Sequence, residues 1–215
     1  MQSYDPLVLL LAFGLLAVVP TLVAVTTSFM KIAVVMNLVR NAMGVQQVPP
    51  NIVMYGLSLI LTVYVMAPVG NRIYESLAEQ PSALRSVDGM VKVIRKGAEP
   101  MRGFLERNTR AEHRDFFVRT AKRMWGPELS QNVAPNDFLV LMPAFLVSEL
   151  TAAFQIGFLL YLPFVVIDLI VSNILLAMGM MMMSPVTVSL PLKLFLFVAV
   201  DGWTRLIEGL VLTYV

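Results

Sequence analysis

Residues 138–192 read FLVLMPAFLVSELTAAFQIGFLLYLPFVVIDLIVSNILLAMGMMMMSPVTVSLPL, with Glu149 and Asp168 as the only charges. Crossing the hydrocarbon of a bilayer takes about 20 helical residues, so this run is too long for one passage. Either Pro163 or the 179–185 neighbourhood can split it into a hairpin, because proline and glycine break helices. No strand-like alternation accompanies the run. The expected fold is therefore all-α, built from integral-membrane-type helical hairpins with one small, polar, helical insert.

The rest of the chain fits that frame. Hydrophobic residues make up 58% and charged residues only 14%, against about 25% charge in a soluble domain. Residues 70–137 hold 12 of the 16 Lys and Arg and 9 of the 14 Asp and Glu. Three regions follow: N-terminal apolar helices over 1–69, a polar helical insert over 70–137, and a C-terminal apolar hairpin over 138–215. Residues 6–30 form an uncharged run preceded by Asp5 and no base. That flank and its length suit a retained segment better than a cleaved signal peptide. Pro20 is expected to kink it. A second run covers 52–69, and the last, 194–215, is broken by Asp201, Arg205 and Glu208. Lys31 and Arg40 mark the first connection as cytoplasmic, which places the insert on the opposite, outer side of the membrane.

The insert reads as short amphipathic helices. Leu84, Val87, Val91 and Ile94 recur at helical spacing. Thr109 and Glu112 fit a capping box, Phe116, Phe117 and Met124 share the apolar side of the next helix, and Gly126–Pro127 should stop it. Such faces need a partner to bury them, as a neighbouring copy would.

Four charges lie deep in apolar sequence: Glu149, Asp168, Lys193 and Asp201. An ionised group in hydrocarbon costs about 2.5–3.5 kcal/mol even on the lenient insertion scale, so each is expected to be buried against protein or to meet water. Lys193 pairs with Glu149 or with Asp168, and a packing salt bridge is the simpler reading than an ion relay. Met178, Met180, Met181, Met182 and Met183 place five thioethers in six residues. Soft sulfur can bind Cu(I), but no Cys or His stands beside it. Core packing is one alternative, and a deformable apolar lining that seals a pore is another. Gly56, Gly157 and Gly209 are candidates for close helix packing.

The chain has no cysteine and one histidine, His113. Thiol chemistry and His-rich metal sites are thereby excluded, and no phosphate-binding glycine loop or nucleophile elbow is present. The expectation is a non-enzymatic protein without cofactor or metal. The net charge of +2 is too small to argue for nucleic acid.

Residues 40–51, RNAMGVQQVPPN, resemble the signature loop of the type III secretion export-gate R subunits (the SctR/YscR group), counterparts of flagellar FliP. Leu141–Met142–Pro143–Ala144–Phe145, Ser148–Glu149–Leu150 and residues 153–158 are similar to a second signature of that family. Pro163–Phe164, Ile167–Asp168, the methionine cluster, Leu190–Pro191, Lys193 and Asp201–Gly202–Trp203 follow in the family's order. The resemblance implies a homopentamer that joins S and T subunits in a conical ring at the bacterial inner membrane, extending into the periplasm. The U-type switch subunit, the secretion base and unfolded exported proteins are its implied partners. Met178 and Met180 to Met183 resemble the methionine gasket that closes the pore, and Glu149 and Lys193 an inter-subunit charge pair. Asp168 and Asp201 fall on family positions without an assigned role. The short leader, and Met183–Ser184–Pro185, resemble the virulence injectisome branch more than the flagellar one. An ion-coupled small-solute transporter is the competing class, and it calls for an internal symmetry that the sequence lacks.

Overall fold

The computed structural model describes residues 6–45, 47–78, 87–131 and 133–215, and every regular element among them is helical. In chain order these are α1 (Pro6–Thr26), α2 (Phe29–Ala42), α3 (Asn51–Ala78), α4 (Val87–Arg107) and α5 (Ala111–Met124). After them come α6 (Pro127–Ser130), α7 (Phe138–Ala177), α8 (Pro185–Ala199) and α9 (Gly202–Leu212). Helices α3 and α7 are long and apolar enough to cross a membrane, and up to four spans result if α1–α2 and α8–α9 each count as one bent span.

Proline is tolerated inside these helices. Pro20, Pro68, Pro100 and Pro191 lie within α1, α3, α4 and α8, and α7 runs on through Pro143 and Pro163. Helix-to-helix contacts and local adjustment can satisfy the backbone group a proline frees in an apolar setting. Of the two sites considered for splitting 138–192, the break falls after Ala177 and not at Pro163. Helix α3 likewise continues past Pro68 to Ala78.

The chain groups into two compact units, each built from two stretches. The first contains the described residues up to Met30 and those from Thr62 to Glu149. Leu105, Leu141, Ala144 and Phe145 are fully buried in it, and the Phe104 and Phe145 rings meet at 5.8 Å. Ser148 on α7 ties the insert down: its Oγ accepts the Arg110 N–H at 3.1 Å, donates to the Ala144 carbonyl at 2.7 Å and lies 2.8 Å from His113 Nδ1. The hydroxyl proton is committed to Ala144, so His113 donates from Nδ1. His113 is thus a half-buried link in the fold.

The expected capping box does not form. The residue before α5 is Arg110, without a side-chain cap, and Thr109 donates instead to the Leu105 carbonyl at 2.6 Å. Its hydroxyl satisfies the end of α4, which leaves an orphan carbonyl, before it can serve the start of α5. Helix α5 does stop at Trp125 before Gly126–Pro127, while Phe116 and Met124 are exposed. Leu84 lies outside the described residues.

The second unit contains Lys31–Leu61 and Leu150–Val215. Its core packs Ile32, Val35, Met36 and Val39 of α2 with Met54, Ala153, Phe164, Phe197, Leu206 and Leu210. Close approach of α2 and α7 depends on Gly157, where an added Cβ would overlap Leu38 Cδ1. Gly56 and Gly209 have open space there, so only one of the three candidate glycines is a packing position. Lys31 is buried with its ammonium 3.7 Å from the Tyr214 ring centroid, and Arg40 closes the following loop. Both bases that suggest a cytoplasmic first connection are therefore engaged in packing as well.

Large apolar side chains remain exposed along both long helices and the last hairpin, among them Ile52, Ile60, Tyr64, Phe158, Phe195 and Val198. A surface of this kind demands lipid or other subunits to cover it.

Candidate functional site

Helix α7 ends on a glycine in the left-handed conformation. Gly179 has φ +78°, its N–H donates to Leu176 O at 3.0 Å, and the Met180 N–H donates to Leu175 O at 2.9 Å. This is a Schellman stop, which satisfies two carbonyls that the helix end would otherwise orphan. Ser184 in extended backbone and Pro185 in the first turn then begin α8. Between the two ends stand the methionines. Met178, Met181 and Met182 are largely or wholly exposed, Met180 and Met183 less so. They form the tip of a helical hairpin, not part of any core.

A buried charge cluster braces that hairpin. Lys193 Nζ lies 2.6 Å from Asp168 Oδ2, with the lysine side chain 3% and the aspartate 28% exposed. Asp168 Oδ1 accepts from Ser189 Oγ, one turn from Lys193 on the same face of α8. The sequence leaves Glu149 and Asp168 open as partners of Lys193, and within the chain the partner is Asp168. Its position follows from the loop: a hairpin turning near Met181 sets residues 13 before and 12 after it at one height. Ser189 was missed by sequence reasoning, although its four-residue spacing from Lys193 places both on one face.

Lys193 also reaches α2. Its ammonium donates to the Ala42 carbonyl at 3.4 Å, where the negative end of the helix dipole favours a cation. Gly44 follows with φ +76°, and a Cβ there would stand 3.7 Å from Lys193 Nζ. The loop beyond is closed by Arg40, which donates to Asn51 Oδ1 at 2.6 Å, Asn37 Oδ1 at 3.0 Å and Pro49 O at 3.2 Å. The 40–51 sequence thus builds a fixed turn against the root of the methionine hairpin.

Glu149 is buried on the part of α7 that belongs to the first unit. Asp201, expected to face protein or water, is exposed on the chain: it occupies the α8–α9 break with φ +53° and accepts from Thr204 Oγ1 at 3.1 Å. Aspartate is among the few residues that tolerate this conformation, so its position serves a backbone turn. Among the described residues no three acidic or histidine side chains are placed to hold a metal ion.

Taken together, these features define an all-helical, membrane-type protein whose distinctive element is a braced hairpin tipped with methionine. Residues 12–210 match the FliP family, and the chain belongs to that family. It is 50% identical over 213 residues to "Yop proteins translocation protein R" of Yersinia pestis, covering 99% of this chain and 98% of the relative. "Harpin secretion protein HrcR" of Erwinia amylovora is 46% identical with the same coverage. "Virulence protein YscR" of Salmonella typhimurium is 42% identical, covering 98% of this chain and 97% of that protein.

Proposed function

We propose that the chain is the R-type subunit of a type III protein export gate in the bacterial inner membrane, part of a virulence injectisome. Five copies form a conical ring with S and T subunits that extends into the periplasm. Unfolded proteins pass through its pore, driven by machinery elsewhere, and the subunit performs no catalysis of its own. The observation that carries this reading is the exposure of five methionines at the tip of a hairpin whose root is locked by the Asp168–Lys193 pair. A soft apolar ring excludes water and ions by dewetting. Thioether side chains have the torsional freedom to close around a passenger of any sequence.

In the ring, Glu149 of one copy pairs with Lys193 of the next. A lysine ammonium has three hydrogens; Asp168 and Ala42 take two, which leaves one for a neighbour's carboxylate. Replacing Met180 to Met183 with glycine tests the gate. Ion leak across the membrane of cells carrying the assembled variant should rise several-fold, and unchanged conductance would remove the gasket role.

A further inference from the structure

The last hairpin shows two chemically different exposed faces. On the second half of α8 the exposed side chains are apolar, among them Leu192, Phe195 and Val198, while Thr187 is exposed nearer its start. On α9 they include Thr204, Arg205 and Glu208, with Asp201 just before the helix and the exposed Leu212 closing the same face two turns past Arg205. At 100° per residue Thr204, Arg205 and Glu208 share an arc of about 100°. Leu206 and Leu210 are buried on the opposite side, with Trp203 and Ile207 half-buried beside them.

Asp201, Arg205 and Glu208 have no ion-pair partner among the described residues. Three ions of order acid, base, acid cannot face hydrocarbon. In a dry subunit contact each would need its own counter-ion and hydrogen-bond partners. Water satisfies all of them at once. We infer that the Asp201–Thr204–Arg205–Glu208 face of α9 lines a water-filled part of the export path, while the apolar face of α8 meets lipid or neighbouring subunits. Alternating charges on a wetted wall repel no passing segment strongly and hold none. This rests on the export-gate reading and adds where along the chain the path is hydrated.

The chain contains no cysteine, so single replacements report cleanly. Thr204→Cys, Glu208→Cys, Leu206→Cys and Val198→Cys are to be labelled in assembled complexes in membranes with a charged, membrane-impermeant thiol reagent applied from each side. Thr204→Cys removes no charge and serves alone if Glu208→Cys does not assemble. Labelling at 204 and 208 at least ten-fold faster than at 198 and 206 is the expected result. Rates at 204 and 208 as slow as at 206 would overturn the inference.

A second measurement uses the leak of the Met180–Met183→Gly variant. Adding Arg205→Glu should raise its cation-over-anion permeability ratio several-fold if the stripe lines the path, and an unchanged ratio counts against it. The two readings can fail separately. No leak in the glycine variant removes the gate, whereas leak with an unlabelled, non-selective α9 removes only the wetted stripe.

Discussion

Asp168→Ala should be among the most damaging single substitutions in the second unit, and its cost can be bounded. At 2.6 Å the attraction between the two charges is about 6 kcal/mol at an effective dielectric of about 20. Desolvation of both ions offsets much of that gain, so the pair itself contributes little. Removal of one partner is different, because it strands the other, at about 3–5 kcal/mol for a buried pair. The two single variants should not be equal. Asp168→Ala leaves an ammonium that is 3% exposed, whereas Lys193→Met leaves a carboxylate that is 28% exposed and can rehydrate. We expect about 3–4 kcal/mol for the first and roughly 2 for the second. The double variant, with no stranded ion, should lose less than about 1.5 kcal/mol. Denaturation of the purified chain in mild detergent by added SDS supplies the four corners of the cycle. Additive single effects, with no coupling beyond about 0.5 kcal/mol, would refute the claim that the pair braces the hairpin.

Other consequences are more local. Gly157→Ala should destabilise by about 1–3 kcal/mol through overpacking, and Leu38→Ala should rescue it, since Leu38 Cδ1 occupies the space; the same SDS titration reads both. Gly179→Val should lose at least about 1–2 kcal/mol because its φ of +78° suits glycine, seen as faster amide exchange at Met180. Ser148→Ala strips the Arg110 N–H and His113 of their acceptor and should cost about 1–3 kcal/mol. Faster proteolysis of the insert is the readout. Glu149→Ala should abolish ring assembly on native gels; an assembled ring that merely loses ion coupling would favour a carrier.

The sequence announced the architecture in its long apolar runs, because helix length and charge exclusion are one-dimensional properties. The methionine loop was equally legible: Gly179 and Ser184–Pro185 carry the stop and start signals themselves. Partner choice for Lys193 was not, since it depends on where the hairpin turns. With the break at Pro163 the register would differ, and only the break after Ala177 brings Asp168 opposite. The capping box failed for a related reason. Thr109 sits between two helix ends that both need a hydrogen bond, and spacing alone does not say which wins. Asp201 stands among apolar neighbours in the sequence, yet it is exposed on the chain at the break between α8 and α9. Gly157 could not be told from Gly56 or Gly209 until Leu38 was placed beside it.

A pore needs several copies of the chain, and native mass spectrometry of the protein extracted in mild detergent counts them. A discrete five-copy ring, retaining small hydrophobic partner subunits, is the predicted result. A monomer or dimer that persists when S and T subunits are co-expressed would contradict it, because a single methionine loop cannot enclose an aperture.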